Sequence, residues 1–313
     1  MKCVIADKMH ETILPMLEEV GIEAEYTPTI TRQELLEIIG EYEGLIIRSK
    51  TNIDKEFIEA ATRLKWIARA GAGIDKLDVS AIENAGITIF NAPEGNRNAV
   101  GEHVLGMLLS MMNNLKKGDG EIRNNIWDRE GNRGIELSGK TVGLLGYGFM
   151  GMAVAQKMTA LGCHVLAYDK YKQSFSDMHA VESSMDEIFE KADVFSIHVP
   201  LTEETTGLID SKYLSSFEKP IFLINTARGE ILGLDDLLDQ LDNNRILGAA
   251  LDVLENEKIN HLTDYQQITF NRIIKNHKII LSPHVAGWSF ESYIRINEVL
   301  LEKIKAFLMT FNP

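Results

Sequence analysis

The stretch Thr141-Val-Gly-Leu-Leu-Gly146-Tyr-Gly148-Phe-Met-Gly151, a helix-like run to Ala160, and Cys163-His-Val-Leu-Ala-Tyr168-Asp169 decide the fold. A short apolar strand meets a turn with Gly146 and Gly148, and Gly151 follows where a helix must pack closely on that strand. Gly146 permits the tight turn, and Gly148 lets backbone approach a pyrophosphate. The N–H groups opening the helix face an anion with the positive end of its dipole. Asp169, ending the second strand, is placed to hydrogen-bond both hydroxyls of an adenosine ribose and to repel a 2′-phosphate, so the stretch predicts NAD rather than NADP. Three nearby glycines alone would mark only a turn; the strand before, the helix after and the acid at this distance make a βαβ dinucleotide site.

Working outward, 313 residues suffice for two domains, and 45% hydrophobic with 25% charged residues is ordinary for a globular chain. A net charge of −14 argues against nucleic acid or an anionic membrane as partner. The two cysteines, Cys3 and Cys163, lie in apolar runs; they predict a reducing, cytoplasmic setting without disulfides. The N-terminus reaches Asp7 too early for a signal peptide, no run is long enough to span a bilayer, and no metal-ligand cluster is expected.

The first ~95 residues alternate strand and helix periods. Expected strands are Lys2–Ala6, Ile22–Tyr26, Gly44–Arg48, Trp66–Ala70 and Thr88–Phe90; expected helices are Glu11–Val20, Thr31–Gly40, Asp54–Ala61 and Val79–Ala85. Ligands gather at strand ends in open sheets, which singles out Arg48-Ser49, Gly71-Ala72-Gly73 and Pro93-Glu94-Gly95-Asn96. Each has an ordinary reading, as exposed charge, plain turn and helix cap. Together they set a guanidinium, backbone amides and a side-chain amide at one sheet edge, as a carboxylate site needs.

Ala99–Asn114 reads as a buried helix that also suits a domain crossing or a second subunit, with His103 a core histidine. Lys116–Gly134 reads as a surface arm. Beyond the fingerprint, Ser184–Lys191 and Asp235–Leu241 read as helices, and Val194–His198, Ile221–Asn225, Leu247–Asp252 and Ile279–Leu281 as strands; Ser289–Leu308 is a closing helix. Arg228, Glu257 and His284 fall in loops at the expected ligand edge. Among eight histidines His284 suits a general base, because imidazole titrates near neutral pH and Pro283 stiffens its backbone; His198 ends a strand and is placed to touch a cofactor.

At these residues the chain resembles a known family. The glycine fingerprint, His198-Val-Pro-Leu-Thr202, Asn225-Thr-Ala-Arg228-Gly229, Ala250-Leu-Asp252-Val-Leu-Glu-Asn-Glu257 and Ser282-Pro-His284-Val-Ala-Gly287 resemble, in order, the motifs of the D-isomer-specific 2-hydroxyacid dehydrogenases. Ile47-Arg-Ser49, Arg69–Asp75 and Asn91–Asn96 resemble the branch acting on 3-phosphoglycerate.

The resemblance implies an α/β protein of two Rossmann-like or flavodoxin-like parallel-sheet domains with the active site in the cleft between them. The substrate domain would be 1–97 plus 288–313, the NAD domain 98–287, and closure would exclude water. It implies that Arg228 holds the substrate carboxylate, His284 exchanges the hydroxyl proton and Glu257 favours the imidazolium. Arg48, Ser49, Ala72, Gly73 and Asn96 would contact a small anionic 2-hydroxy or 2-oxo acid. Phe149 and Met150 would meet the pyrophosphate, with His198, Pro200, Thr205, Thr226, Ala227, Asp252 and Gly287 along the path to the nicotinamide. A homodimer through the helix beginning near Ala99 is implied, with Arg129 or Arg133 reaching a neighbour's phosphate site. Serine feedback through a C-terminal regulatory domain is not expected of a chain ending at residue 313.

Departures are Lys258 where relatives carry Pro, a long loop at Ile259–Asn276, and Trp288 near the mouth. Within the enzyme class the alternatives are hydroxypyruvate or glyoxylate reductase, D-lactate dehydrogenase and erythronate-4-phosphate dehydrogenase. Outside it stands an NADH-sensing protein like the family's transcriptional corepressors.

Overall fold

The computed structural model describes residues 1–311. The chain runs β1 (Lys2–Ile5), α1 (Ile13–Glu19), β2 (Glu23–Tyr26), α2 (Arg32–Ile38), β3 (Gly44–Ile47), α3 (Lys55–Ala60), β4 (Trp66–Arg69), α4 (Val79–Asn84), β5 (Thr88–Asn91) and α5 (Pro93–Met112). It continues through α6 (Leu115–Arg123), β6 (Thr141–Leu145), α7 (Phe149–Ala160), β7 (His164–Tyr168), β8 (Val181–Glu182), α8 (Met185–Lys191), β9 (Val194–Ile197) and α9 (Ser211–Ser215). Then come β10 (Ile221–Asn225), α10 (Leu234–Asp242), β11 (Ile246–Leu251), α11 (Asp264–Lys275), β12 (Ile279–Leu281) and α12 (Phe290–Phe311). Two compact units form: Met1–Arg97 with the segment from Trp288, and Asn98–Gly287. Residues 312 and 313, included in the expected substrate domain, lie outside the described residues.

The first unit is a parallel sheet in the order β2-β1-β3-β4-β5, the flavodoxin-like order. Its central strands are apolar on both faces because helices cover both. Ile13 and Leu17 of α1 and Ile296, Leu300 and Ile304 of α12 pack on Cys3, Ile5 and Trp66. Leu35, Phe57 and Ile82 of α2, α3 and α4 pack on Val4, Leu45 and Ile67. Edge strand β2, Glu-Ala-Glu-Tyr, exposes both glutamates, which discourages further pairing.

The second unit is a parallel sheet in the order β12-β11-β10-β9-β6-β7-β8. Counted from β6, the first six strands follow the doubly wound 3-2-1-4-5-6 order, and the switch point lies between β6 and β9. Val104 and Leu108 of α5 and Val154 and Met158 of α7 fill one face. Ile188, Leu214, Leu237, Leu241 and Ile273 of α8 to α11 fill the other.

Several expectations are corrected here. α5 begins at Pro93, a residue suited to a first helical turn by its fixed φ, so Asn96 lies inside the helix rather than capping it. The stretch 259–276, expected as a loop, contains α11, started by a capping box in which Thr263 and Gln266 satisfy each other's backbone N–H. The arm at 116–134 opens as α6. His164 lies in the strand as read, at the start of β7 with its side chain exposed. The stretch read as a buried helix is one: Val100, Val104, Leu108 and Met111 of α5 lie in the second unit's core. Among the described residues no helix is long and apolar enough to cross a membrane.

Candidate functional site

At the switch point of the larger sheet, Gly146 follows β6 with φ 95, and a Cβ there would stand 2.6 Å from the carbonyl oxygen of His198, the residue after β9. Only glycine accepts both the dihedral and the approach. A Cβ on Gly151 would stand 2.2 Å from the Gly146 carbonyl oxygen, so α7 is drawn onto the turn. A Cβ on Gly148 would meet nothing within 4 Å, leaving open space at the helix start. The first N–H groups of a helix lack intrahelical acceptors, and Gly148, the N-cap of α7, has no side chain to offer them. A phosphate anion fits this cradle, which Phe149 and Met150 open.

Asp169, directly after β7, accepts the Tyr147 N–H on Oδ2 at 3.0 Å and the Tyr171 N–H on Oδ1 at 3.1 Å. Its carboxylate is thereby fixed beside the glycine turn, at a pocket of about 210 Å³ lined by Tyr168, Asp169, Lys170, Lys172, Phe175 and Ser183 among others. After β9, the Thr205 hydroxyl donates to the Pro200 carbonyl at 2.7 Å and accepts the Thr202 N–H at 2.8 Å, closing the turn. His198 is partly buried and pairs through Nε2 with the Ser196 hydroxyl at 2.8 Å. Burial pushes its imidazole down to about 4, so it is neutral at neutral pH. The Thr226 hydroxyl oxygen, just past β10, is buried without a hydrogen-bond partner, as a group awaiting a ligand would be.

Three adjacent strand ends, those of β10, β11 and β12, bear the loops with Arg228, Glu257 and His284. Asn225, 1% exposed at the end of β10, accepts the Ala227 N–H at 3.0 Å and donates to the Arg228 carbonyl at 2.9 Å, folding the loop that presents Arg228. A Cβ on Gly229 would lie 1.9 Å from the Leu254 carbonyl carbon, so the loop after β10 packs directly on the loop after β11. That second loop is tied back by the Leu234 N–H donating to Glu255 at 2.8 Å. His284, past β12, donates its N–H to the Asp252 carbonyl at 2.8 Å and holds φ 54, a strained value for a non-glycine residue. Its Nδ1 lies 2.8 Å from Glu257 Oε1, both side chains being about half exposed.

Asp252, expected along the cofactor path, has a fully buried side chain. Its oxygens take the Ser282 hydroxyl and the N–H groups of Val285 and Ala286 at 2.9 and 2.8 Å, so the carboxylate shapes the loop bearing His284 and leading to Gly287. His103, read as a core histidine, is about a quarter exposed and joins this network through Ser282 Oγ at 2.8 Å. Asn225 and Ser282, the first residues of their motifs and assigned no role from the sequence, are supporting residues; a polar residue ending an apolar strand was the signal for each.

In the first unit, β1 and β3 meet at that sheet's own switch point. Asp7, 7% exposed, accepts the Arg48 N–H at 2.6 Å. The Arg48 guanidinium lies 3.9 Å from the Trp288 ring centroid and 5.0 Å from that of Tyr293, two rings stacked on each other. Ser49 is exposed. The Gly71-Ala72-Gly73 turn is held by Asn91, whose amide donates to the Ala72 carbonyl at 2.7 Å. Asn96 Oδ1 is buried without a partner. On the arm, Arg133 pairs with Glu130 and Arg129 is exposed.

Residues 105–286 match the family described as D-isomer specific 2-hydroxyacid dehydrogenase, NAD binding domain. D-3-phosphoglycerate dehydrogenase of Archaeoglobus fulgidus is 32% identical over 306 residues, 97% of this chain and 56% of that protein. The chain thus spans about half the length of such relatives. Hydroxypyruvate reductase of Thermotoga maritima is 31% identical over 95% of this chain and 94% of its own. The solved D-lactate dehydrogenase of Aquifex aeolicus, complexed with NAD and lactic acid, superposes with a TM-score of 0.84 at 26% identity, covering 99% of this chain and 96% of that one. The glycine turn with its fixed carboxylate, the paired imidazole and these matches together place the chain in the D-isomer-specific 2-hydroxyacid dehydrogenase family.

Proposed function

We propose that the chain is an NAD-dependent oxidoreductase acting on a small D-2-hydroxy acid, with 3-phosphoglycerate and 3-phosphohydroxypyruvate as its substrate pair. The observation that carries the reading is the 2.8 Å pair of His284 Nδ1 and Glu257, on the strand-end edge that also presents Arg228. Glu257 engages Nδ1, so Nε2 is the ring nitrogen left to take the 2-hydroxyl proton on oxidation and return it on reduction. Arg228 holds the substrate carboxylate as a bidentate cation. Arg48, Ser49, Ala72, Gly73 and Asn96 receive the remaining anionic groups.

For the dinucleotide, Phe149 and Met150 offer backbone N–H groups to the pyrophosphate, and Asp169 takes the ribose hydroxyls. Thr226, with its unpartnered hydroxyl, stands with Ala227, His198, Pro200, Thr205 and Gly287 along the rest of its length. Bound there, NAD supplies the hydride acceptor. A homodimer using the half-buried Leu105 and Leu109 of α5 completes the reading.

A second reading, reduction of unphosphorylated hydroxypyruvate, is favoured by the Thermotoga relative, which matches over 94% of its own length. NADH oxidation with 3-phosphohydroxypyruvate, hydroxypyruvate, glyoxylate and pyruvate separates them. The highest kcat/KM is expected for 3-phosphohydroxypyruvate; a higher value for hydroxypyruvate overturns the phosphate assignment. No turnover with any 2-oxo acid overturns the enzymatic reading in favour of an NADH-sensing protein.

A further inference from the structure

Beyond Asp169 the loop after β7 continues Lys170-Tyr171-Lys172. In dinucleotide folds a cation at this place accommodates the 2′-phosphate that distinguishes NADP from NAD. Here both lysines are engaged. Lys172 Nζ donates to the Tyr147 carbonyl at 2.6 Å. Lys170 Nζ is ion-paired with one oxygen of Glu204, whose other oxygen accepts the Tyr171 hydroxyl at 2.7 Å. Glu204 comes from the separate turn after β9, whose shape is fixed by the Thr202 and Thr205 hydroxyls.

Lys170 and Glu204 are both about half exposed. A third charge nearby sees the pair as a dipole of no net charge, which leaves the uncompensated field of Asp169 to act at the ribose. Remove the Glu204 charge, and a lysine adjacent in sequence to Asp169 becomes available to a phosphate.

We propose that Glu204 is a cofactor-selectivity residue: by holding Lys170 it denies a 2′-phosphorylated dinucleotide its counter-ion, so preference for NAD rests on Asp169 and Glu204 jointly. This deepens the reading of the chain as NAD-binding and rests on it. A mere staple between two turns would act on both dinucleotides alike. Glu204→Gln separates the cases, because the amide still accepts a hydrogen bond from Tyr171 while the charge is gone.

The test is calorimetric titration of the purified full chain with NAD+ and with NADP+, for the unaltered protein, Glu204→Gln, Lys170→Ala and the double variant. Glu204→Gln is expected to raise the ratio of NADP+ to NAD+ affinity about tenfold, with NAD+ affinity held within about twofold. The gain is expected to vanish in the double variant and to shrink as salt screens the phosphate. An unchanged ratio in Glu204→Gln, or a gain that survives loss of Lys170, overturns the proposal alone. An unaltered protein that binds neither dinucleotide overturns the NAD reading and the proposal with it.

Discussion

His284 holds a left-handed backbone with Nδ1 on Glu257 and its N–H on the Asp252 carbonyl. A residue strained by about 1–3 kcal/mol and fixed from both sides suits the proton-exchange role proposed for it. His284→Ala is expected to lower kcat about 10²–10⁴-fold with NAD affinity unchanged. Glu257→Gln is expected to lower kcat at least tenfold, ~1.4 kcal/mol of barrier, and steady-state kinetics beside NAD titration check both. His198 makes a separate prediction about stability. Its folded pKa, about 4, lies below the ordinary 6.5, so on acidification the unfolded chain takes the proton first. The associated stability is complete above about pH 6.5 and is lost progressively toward pH 4. At about 1.4 kcal/mol per pH unit the loss is at most about 3.5 kcal/mol. Urea unfolding from pH 7 to pH 4 should therefore show a shallower decline in His198→Asn than in the unaltered chain, and parallel curves would refute the assignment.

At the scale of elements, the glycines set how closely strands, turns and helices meet. Gly146→Ala forces both a φ of 95 and a contact of 2.6 Å on the His198 carbonyl. It is expected to weaken NAD binding more than tenfold and to cost about 1–3 kcal/mol of stability, readable by titration and urea denaturation. In the first unit Gly44 is required by the close approach alone, since a Cβ would stand 2.1 Å from the Trp66 ring. The loops after β10, β11 and β12 act as one laced assembly through Asn225, Gly229 and Asp252. A Ser282→Ala change therefore tests support rather than chemistry. It is expected to lower kcat severalfold without changing carboxylate recognition, so KM for the 2-oxo acid should stay within about twofold.

At the scale of the whole molecule, the C-terminal helix completes a sheet whose strands all come from the first hundred residues. Leu300 and Ile304 are fully buried against Cys3, Ile5 and Trp66. Leu300→Ala is expected to cost about 2–5 kcal/mol, visible as a lowered urea midpoint for the first unit. Loss confined to the second unit's transition would contradict this packing. The interior helix face of α5 is likewise committed, with Val104 and Leu108 at 0% exposure. Leu105 and Leu109, on the same helix, are only partly buried.

The sequence by itself determined the alternation of strands and helices, the glycine turn with its acid, and the three strand-end loops bearing Arg228, Glu257 and His284. These are local signals: apolar runs that must be buried on both faces, and dihedrals or approaches that only glycine permits. Short or amphipathic pieces such as β8, α9 and α11 were not legible, since two to twelve residues of mixed polarity become ordered only against a neighbour. Tertiary structure alone decided that Asp252 turns inward to hold the histidine loop, that Trp288 stacks on Arg48, and that Glu204 engages Lys170 from 34 residues away. Such pairings depend on which strand ends the fold brings side by side, and no periodicity within a single segment encodes that.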